Sequence, residues 1–558
     1  MSGFTRQAPR GLRGLLPAAG LALALLAGGC ATPPPAGPLK VTVLALNDFH
    51  GNLLPPGGGL SNPVRRTPTP AGGAAVLATA LAEERQRNPH HVFVAAGDLV
   101  GASPLVSALM HDEPTLDVLG KLGLEASAMG NHELDKGAAE ALRQQNGGCH
   151  PKDGCRGPQP YTGAAFRYLA ANTVVNATGQ TLFPPYWIKR FDGVPVAFIG
   201  LTLKDTPKVV APAGVAGLSF RDEADTVNAL VPELKRQGVE AIVVLVHEGG
   251  FTSGDINDCT DLRGEITSIV PRLDKAVDVV VSGHTHWAYN CRIDGRLVTS
   301  AHRFGTVLTR IELTLDRTTR DVVSSVAENL PLVPTRYIPD AATAGLIATY
   351  ERIVAPLAKR PVSRLAEPLL VRTGPNGENT IGRLVADAQL EATRASGAQA
   401  ALMNLGGLRA QLGRDDRLDV TYEDLYAVQP FNNQLVTLTL SGAQILAWLE
   451  QQWNGDRGRL MQVSAGFGYA WDSTRPAGSK VVPGSVSIGG RPLDPSAEYR
   501  ITVNNFMADG GDGYTVLRQA RNRQYGPQDL EALEAYLAAR PLYAPDPQPR
   551  IRRVDEPR

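Results

Sequence analysis

Between Lys40 and about Val333, apolar runs of strand length alternate with segments of helical period, and this alternation constrains the fold of the chain most. The runs are VTVLAL (41–46), VFVAA (92–96), PVAFIGL (195–201), AIVVLV (241–246) and VDVVVS (277–282). Residues 72–87 have an amphipathic helical period after a glycine pair. Strands that alternate with helices are typical of layered α/β domains. We therefore predict the α/β class.

The length of the chain predicts more than one domain. Its 558 residues exceed what one hydrophobic core usually covers. Residues 339–356 have the pattern of a single helix between prolines, which suits a connector. We predict a first domain over 40–335, a connector helix within 336–360 and a second α/β (α+β) domain over 361–545.

The first thirty residues have the pattern of an export signal. Arg6, Arg10 and Arg13 precede a short apolar stretch, 15–27, and small residues then lead to Cys30. The apolar stretch is too short for a membrane helix, so we predict a signal peptide over 1–29. The ending resembles a bacterial lipobox, although Ala27 lies where that motif usually has Leu. We expect a periplasmic or cell-envelope protein lipidated at Cys30 and tethered through 30–39, and an ordinary signal peptide cut elsewhere is the alternative.

The charge balance and the cysteine content indicate which partners and which cellular compartment to expect. The chain has 55 basic and 55 acidic residues, and removal of the leader leaves a slight negative balance. This balance gives no sign of a surface for a nucleic-acid polymer. Four cysteines remain after Cys30, an even number that predicts disulfides in an exported protein. Of the three possible pairings, we predict Cys149–Cys155 and Cys259–Cys291, because the first pair is close in sequence and the second follows two neighbouring strands.

Polar residues follow five of the predicted strands directly. Single residues of this kind are usually caps or satisfied core groups, but five such strand ends are hard to explain by coincidence. If the strands share a parallel sheet, their carboxyl ends converge in one cleft. The residues are Asp48 and His50 after the first strand, Asp98 after the second, Asn131, His132 and Asp135 after residues 126–129, His247 after 241–246, and His284 and His286 after 277–282.

This mixture of residue types indicates a metal centre. Asp, Asn and His together suit borderline divalent transition metals, and the lack of Cys argues against a purely structural zinc site. The donors are too many for one ion with an open position. Two ions that share one carboxylate would use nearly all of them, as in sites that hydrolyse phosphoesters.

The five motifs NDFHG, GD, GNHE-x-D, VH and GHTH, in this order, resemble the calcineurin-type metallophosphoesterases. With the second domain, the chain is similar to the 5′-nucleotidase family over about residues 40–540. The resemblance implies a four-layer α/β catalytic domain and two divalent ions, with zinc, manganese or cobalt expected. It assigns Asp48, His50, Asp98 and His286 to one ion, and Asp98, Asn131, His247 and His284 to the other. Gln commonly fills the position of His286 in this family.

The resemblance also implies the catalytic pair and leaves other residues without a direct role. His132 would stabilise or protonate the leaving oxygen, and Asp135 would orient it. Glu133 is predicted to be structural, and His302 is a weak candidate for supporting the site. His90, His91, His111 and His150 lie away from the strand ends, and we predict that they are surface residues.

In the second domain, the resemblance implies a nucleotide-binding surface. Arg372 and Arg409 match phosphate-binding arginines, and Asn404 begins the loop NLGGLR that contains Arg409. Phe431 and Phe506 match two aromatic residues that sandwich the base, and Asp512 matches the acceptor of the ribose hydroxyls. Some bacterial relatives carry another arginine shortly before Arg372, where this chain has Pro368 and Leu369.

The expected function is release of phosphate from nucleoside 5′-monophosphates, with cleavage of UDP-sugars as a further activity. Hydrolysis of 2′,3′-cyclic nucleotides with 3′-nucleotidase activity is one alternative. A thiosulfate-cycle hydrolase of sulfur oxidation is another, and a non-catalytic nucleotide-binding lipoprotein is the alternative from outside the enzymes.

Overall fold

The structure is a computed structural model, and it describes residues 37–65, 67–454 and 458–555. The predicted signal peptide and Cys30 lie outside the described residues.

In the first part of the chain the strands are β1 (Leu39–Leu46), β2 (His91–Ala95), β3 (Ala126–Ala128), β4 (Arg167–Leu169), β5 (Thr173–Val175), β6 (Tyr186–Phe191), β7 (Val194–Thr202), β8 (Leu218–Phe220), β9 (Ala241–His247), β10 (Val279–Ser282), β11 (Ala288–Ile293), β12 (Arg296–Ala301), β13 (Val307–Leu315) and β14 (Val322–Pro331). The helices are α1 (Ala74–Arg87), α2 (Leu105–Ala108), α3 (Glu113–Lys121), α4 (Ala138–Asn146), α5 (Thr206–Val209), α6 (Glu223–Arg236), α7 (Ile266–Ile269) and α8 (Ala341–Ala358).

Two six-stranded sheets form the centre of this part. The first has the order β14-β13-β1-β2-β3-β4 and the second the order β11-β12-β10-β9-β7-β6. The strands β1 to β4 are parallel, as are β7, β9, β10 and β12, and the outer strands pair antiparallel. The five site-bearing strands do not share one sheet, because β1, β2 and β3 belong to the first sheet and β9 and β10 to the second.

The two sheets pack face to face, and helices cover their outer faces. Alternate residues of β1, such as Val41 and Val43, meet alternate residues of β9, such as Val243 and Leu245, in the central core. The residues between them face outwards to the helices on each side. Because each sheet is covered on both faces, its inner strands are continuously apolar. The result is the four-layer α/β domain that the resemblance implies.

Helix α8 begins with a side-chain cap and packs on the outer helical layer of this domain. The Asp340 carboxylate accepts the backbone N–H of Thr343 at 2.7 Å, as is typical of helix starts. Ile347, Tyr350 and Val354 are buried in the same core as α1 and α3. Among the described helices, none combines the length and the apolarity required to span a membrane.

The second part of the chain is built on a five-stranded sheet of order β19-β16-β23-β18-β24. Its strands are β15 (Pro361–Leu365), β16 (Ala400–Met403), β17 (Asp419–Thr421), β18 (Gln434–Ser441), β19 (Gln462–Val463), β20 (Phe467–Trp471), β21 (Ser487–Ile488), β22 (Arg491–Pro492), β23 (Glu498–Asn504), β24 (Arg521–Gln528), β25 (Leu542–Tyr543) and β26 (Ile551–Arg553). Its helices are α9 (Thr380–Thr393), α10 (Tyr422–Val428), α11 (Gly442–Glu450), α12 (Asn505–Ala508) and α13 (Asp529–Ala538). Helices α9 and α13 cover one face of the sheet, and α11 covers the other.

Candidate metal centre and substrate site

The seven predicted metal ligands converge at the carboxyl ends of the strands of both sheets. The backbone N–H of His284, which follows β10, donates to the Asp48 carboxylate, which follows β1. This hydrogen bond joins the loop of one sheet to the loop of the other. All seven side chains are buried or half-buried, so their polar atoms face one another rather than solvent.

The ligand atoms form two neighbouring groups. In the first, His286 Nε2 lies 3.1 Å from His50 Nε2 and 3.3 Å from Asp48 Oδ1. In the second, His247 Nε2 lies 2.9 Å from Asp98 Oδ2, and His284 lies within the same group. Asp98 Oδ2 is also 3.6 Å from His50 Nε2. The Asp98 carboxylate therefore lies between the two groups, where a bridging ligand would have to be.

The donor chemistry fits divalent cations. Asn131 Oδ1 is buried and has no hydrogen-bond partner among the described residues, although a buried acceptor is normally satisfied. His50 Nδ1 lies 2.8 Å from the carbonyl of Gly101, and His247 Nδ1 lies 2.7 Å from that of Ala96. Each ring can donate through Nδ1 and direct the Nε2 lone pair into the centre, as metal-binding histidines do.

Burial keeps three of the four histidine ligands neutral, which is the form that binds metal. It lowers the pKa of His50 and His286 well below the ordinary value. Burial, with the neighbouring His247, lowers the pKa of His284 to about 4. For His247 burial acts in the same direction, but the carboxylates of Asp98 and Asp48 outweigh it and raise its pKa to about 10.

The backbone at the centre is strained. Five of the seven predicted ligands have a positive φ, between 46° and 67°, which is uncommon for residues other than glycine. They are Asp48, His50, Asp98, His284 and His286. Such conformations persist where the surroundings enforce them, and they cluster at functional sites.

Two glycines allow the loops to approach closely. A Cβ on Gly130 would lie 2.2 Å from Asp98 Oδ1, and a Cβ on Gly97 would lie 2.7 Å from the backbone N of Gly130. Either contact would push apart the strand ends that carry Asp98 and Asn131. Sterics therefore explain why the GD and GNHE motifs have glycine at these two positions.

His132 and Asp135 form a pair beside the centre. His132 Nδ1 lies 2.8 Å from Asp135 Oδ2, within one turn of 3₁₀ helix. Burial tends to lower the pKa of His132, but the carboxylates of Asp135 and Asp98 outweigh it and leave the pKa raised. If Nδ1 donates to Asp135, the Nε2 atom is left for a substrate.

Glu133 joins the loops behind the metal centre. Its carboxylate accepts the backbone N–H groups of Asp98 (3.1 Å), Leu99 (2.8 Å) and Gly130 (2.7 Å). Asn47 acts similarly between β1 and β12, donating to the carbonyl of His302 and accepting the N–H of Ala301. His302 is buried and bound to Thr306 Oγ1 at 2.7 Å, so it supports the loop next to the centre.

Sequence reasoning missed Arg303. Its Nη1 lies 3.4 Å from His286 Nδ1, and its Nε is buried with no hydrogen-bond partner in the described part of the chain. Burial, together with the charge of Arg409, lowers the pKa of Arg303 to about 10. No motif marks this residue, and only its position after β12 brings it to the centre.

Two predicted substrate residues belong to the second part of the chain and lie against the first part, next to His132. The Phe431 ring stacks on His132, with 5.7 Å between centroids and 15° between planes. The guanidinium of Arg409 lies 5.7 Å from the Phe431 ring. Burial lowers the pKa of Arg409, against the opposing effect of the Asp98 and Asp135 carboxylates. Arg409 and Phe431 therefore face the metal centre and the His132–Asp135 pair.

Three further predicted substrate residues form a neighbouring group. Asn404 Nδ2 donates to Asp512 Oδ2 at 2.7 Å. Phe506 packs against the backbone of Gly511, where an added Cβ would lie 2.4 Å from its ring. No ring contact joins Phe431 to Phe506 within the described residues, so the base sandwich stays a prediction. Arg372 is exposed, and no hydrogen bond or ion pair links it to this surface in the described part.

The predicted disulfides are confirmed, and one prediction about histidines is wrong. Cys149 is bonded to Cys155, and Cys259 to Cys291. His111 and His150 were expected at the surface, but their rings stack on each other at 3.8 Å and their side chains are only 20% and 19% exposed. A contact between two loops 39 residues apart leaves no periodic signal in the sequence.

Comparison with known protein families identifies both parts of the chain. Residues 41–288 match the model of the calcineurin-like phosphoesterases, and residues 358–519 match that of the 5′-nucleotidase C-terminal domain.

Similar proteins and structures extend this result. The chain is 32% identical over 508 residues to endonuclease YhcR of Bacillus subtilis, covering 89% of this chain and only 40% of that protein. It is 31% identical over 536 residues to cell wall protein Lmo0130 of Listeria monocytogenes, covering 90% of this chain and 68% of that one. The crystal structure of a 5′-nucleotidase precursor from Thermus thermophilus superimposes with a TM-score of 0.75 at 28% identity, covering 93% of this chain and 100% of the other.

Proposed function

The chain belongs to the 5′-nucleotidase family of metal-dependent phosphoester hydrolases, and from this membership we propose that it releases phosphate from nucleoside 5′-monophosphates. One observation carries the proposal: Phe431 and Arg409 lie directly over the His132–Asp135 pair beside the convergent donor set. An aromatic ring and a guanidinium suit a base and a phosphate, respectively. Cleavage of the phosphoanhydride of UDP-sugars is a second proposed activity.

The seven donors are proposed to hold two divalent ions, with Asp98 bridging them. One ion would be bound by Asp48, His50, Asp98 and His286, and the other by Asp98, Asn131, His247 and His284. Such an ion pair supplies Lewis-acid stabilisation of the phosphoryl oxygens and a water activated for attack. The unpartnered Asn131 Oδ1 and the neutral histidines support this assignment.

His132 is proposed as the general acid. The oxygen of water forms the new bond to phosphorus, the bond to the 5′ oxygen breaks, and His132 Nε2 donates a proton to that leaving oxygen. Asp135 holds the Nδ1 side of the ring at 2.8 Å and stabilises the protonated form. Arg409 and Arg303 are proposed to bind the phosphate oxygens, since both are half-buried cations that face the Asp48 carboxylate.

The nucleoside is proposed to bind along the second group of residues. Asp512 and Asn404 would hydrogen-bond the ribose hydroxyls, and Phe506 would stack on the base together with Phe431. Arg372, which is exposed, is proposed to reach the phosphate only on closure of the second domain over the first. The domain boundaries at 40–335, 336–360 and 361–545 are part of the same proposal, and α8 would be the connector.

The protein is proposed to be exported and anchored in the cell envelope through a lipid on Cys30, after removal of 1–29. The two disulfides support an oxidising compartment. A Cys30→Ala variant should move from the membrane fraction to the soluble envelope fraction. Recovery of wild-type protein in the soluble fraction would contradict the anchor.

A substrate panel tests the activity. Metal-loaded protein is incubated with AMP, 3′-AMP, 2′,3′-cyclic AMP and UDP-glucose, and released phosphate is measured, with added phosphatase for products that retain a phosphate. The proposal expects the highest kcat/KM on AMP. Preference for 3′-AMP or the cyclic nucleotide would contradict it and identify the alternative member of the family. Absence of turnover with nucleotide binding intact would indicate a binding protein.

A further inference from the structure

A third group of metal-binding side chains lies apart from the seven donors of the metal centre. It consists of His111, in the turn between α2 and α3, and His150 and Asp153, in the loop closed by the Cys149–Cys155 disulfide. Each residue offers one ligand atom, and these atoms all lie within 4.8 Å of one another. Two imidazoles and a carboxylate are a donor set that zinc commonly takes, with water in the fourth position.

The Asp153 carboxylate is oriented towards both rings. Its Oδ2 atom lies 3.0 Å from His111 Nε2 and 3.4 Å from His150 Nδ1. Its other oxygen, Oδ1, lies 3.2 Å from Arg156 Nη2. Arg156 therefore holds one side of the carboxylate and leaves the other side for the two histidines.

The two histidines are only partly satisfied, because His150 Nδ1 accepts the backbone N–H of Asp153 at 3.2 Å while His111 Nε2 has no such donor. His111 Nε2 is buried and makes no hydrogen bond with any described residue, although Asp153 Oδ2 is close. The two rings stack at 3.8 Å with 14° between their planes, so double protonation would place two cations in contact. A divalent cation would accept the lone pair of His111 Nε2 and the carboxylate oxygen, and it would replace the Asp153 N–H at His150 Nδ1.

The surrounding structure holds the group in place. The backbone of His111 has a φ of 54°, an uncommon conformation for this residue. Gln144 Nε2 donates to the His111 carbonyl at 3.0 Å, and Arg143 Nη1 donates to the Gly148 carbonyl beside the disulfide loop at 2.6 Å. A seven-residue loop closed by a disulfide has few accessible conformations, so metal binding would cost little further conformational entropy.

We propose that His111, His150 and Asp153 form a third metal site, which takes Zn²⁺. The bound ion would fasten the disulfide loop to the turn between α2 and α3. That turn lines the same cavity as His132 and Phe431, so the ion would fix one wall of the substrate cavity. This site uses none of the seven donors, and it rests on the proposed function only in the two further ions that the stoichiometry test counts for the dimetal centre.

Zinc stoichiometry tests the proposal. Full-length protein is dialysed against Zn²⁺, passed through a desalting column and analysed for metal. We expect three equivalents for the wild type and two for His150→Gln and Asp153→Asn. His90→Gln is the matched control, because His90 lies on the same domain 3.3 Å from Asp192 and should keep three. Two equivalents in the wild type, or no loss in the His150 and Asp153 variants, would overturn the proposal.

A second measurement separates this site from the dimetal centre and from misfolding. Asp98→Asn, which weakens the dimetal centre, should still bind one equivalent and show a rise in Tm on addition of Zn²⁺, because a ligand stabilises the state that binds it. The rise should disappear in Asp98→Asn combined with His111→Asn, a substitution that tolerates the positive φ. The same rise in both proteins would show that zinc binds elsewhere. Replacement of Cys149 and Cys155 by Ser should weaken the zinc-dependent rise.

Discussion

Removal of the Glu133 carboxylate should destabilise the catalytic domain by an amount that depends on how many hydrogen bonds are lost. Oε2 accepts the N–H groups of Asp98 and Gly130, and Oε1 accepts that of Leu99. An unsatisfied buried N–H costs about 1–3 kcal/mol. Glu133→Gln keeps one oxygen. In its better orientation it loses the Leu99 bond and the long contact of 3.5 Å from the Tyr168 hydroxyl, so we expect a loss of roughly 1–3 kcal/mol.

Glu133→Ala removes the acceptor of all three backbone N–H groups, so the expected loss is roughly 3–9 kcal/mol, a large part of the stability of a typical domain. Both variants should also bind less metal, because the lost bonds hold the loops of Asp98 and Asn131. Stability is measured by urea unfolding at pH 8, above the pKa of about 7 to which burial and the Asp98 charge raise Glu133.

The matched control for these variants is Glu125→Gln. Glu125 is a partly exposed carboxylate paired with Lys189 at 2.6 Å, and its loss should cost less than about 1 kcal/mol. If Glu133→Ala is no less stable than Glu133→Gln and holds full metal, Glu133 does not tie these loops together.

Three other predictions concern the two aromatic residues, Arg303 and the second disulfide. Phe506→Ala and Phe431→Ala should each lower kcat/KM on AMP by roughly ten- to a hundredfold, because stacking contributes about 1–3 kcal/mol per base. Hydrolysis of an aryl phosphate, which has no base, should change little. Parallel loss on both substrates, with a lower Tm, would instead identify a packing role. Arg303→Met should lower kcat/KM on AMP about ten- to a hundredfold, since a hydrogen bond to a charged group contributes about 1.5–3 kcal/mol. The zinc content of the variant should be unchanged. Unaltered kinetics would show that Arg303 does not bind the phosphate. Replacement of Cys259 and Cys291 by Ser should lower stability by about 2–5 kcal/mol in thermal unfolding, and an unchanged Tm would show that the bridge is dispensable.

The strand ends and the order of the motifs were predictable because they depend on local pattern. A strand buried on both faces is a continuous apolar run, and the polar residue at its end is adjacent in sequence. The runs that precede Asp48, Asp98 and His247 all lie within strands or at their ends in the structure. The helix over 339–356 was also predictable from local pattern, and in the structure it spans Ala341–Ala358.

The arrangement of these elements in space was not predictable from the same signals. A continuous apolar run fits either sheet equally well, so the division of the strands between two stacked sheets left no trace in the pattern. Arg303 and the stacked pair His111–His150 depend on contacts between distant loops. The position of Phe431 on His132 depends on how the second part of the chain packs against the first.

Metal analysis combined with kinetics on two variants tests the central claim most directly. Asp98→Asn and His132→Asn are compared with the wild type for bound metal and for phosphate release from AMP. The account predicts that Asp98→Asn loses metal from the dimetal centre and activity together. It predicts that His132→Asn keeps its metal near the wild-type content and loses about 10²–10⁴ in turnover, the range typical of a lost general acid. Loss of metal in His132→Asn, or full metal and activity in Asp98→Asn, would contradict the roles assigned to these residues.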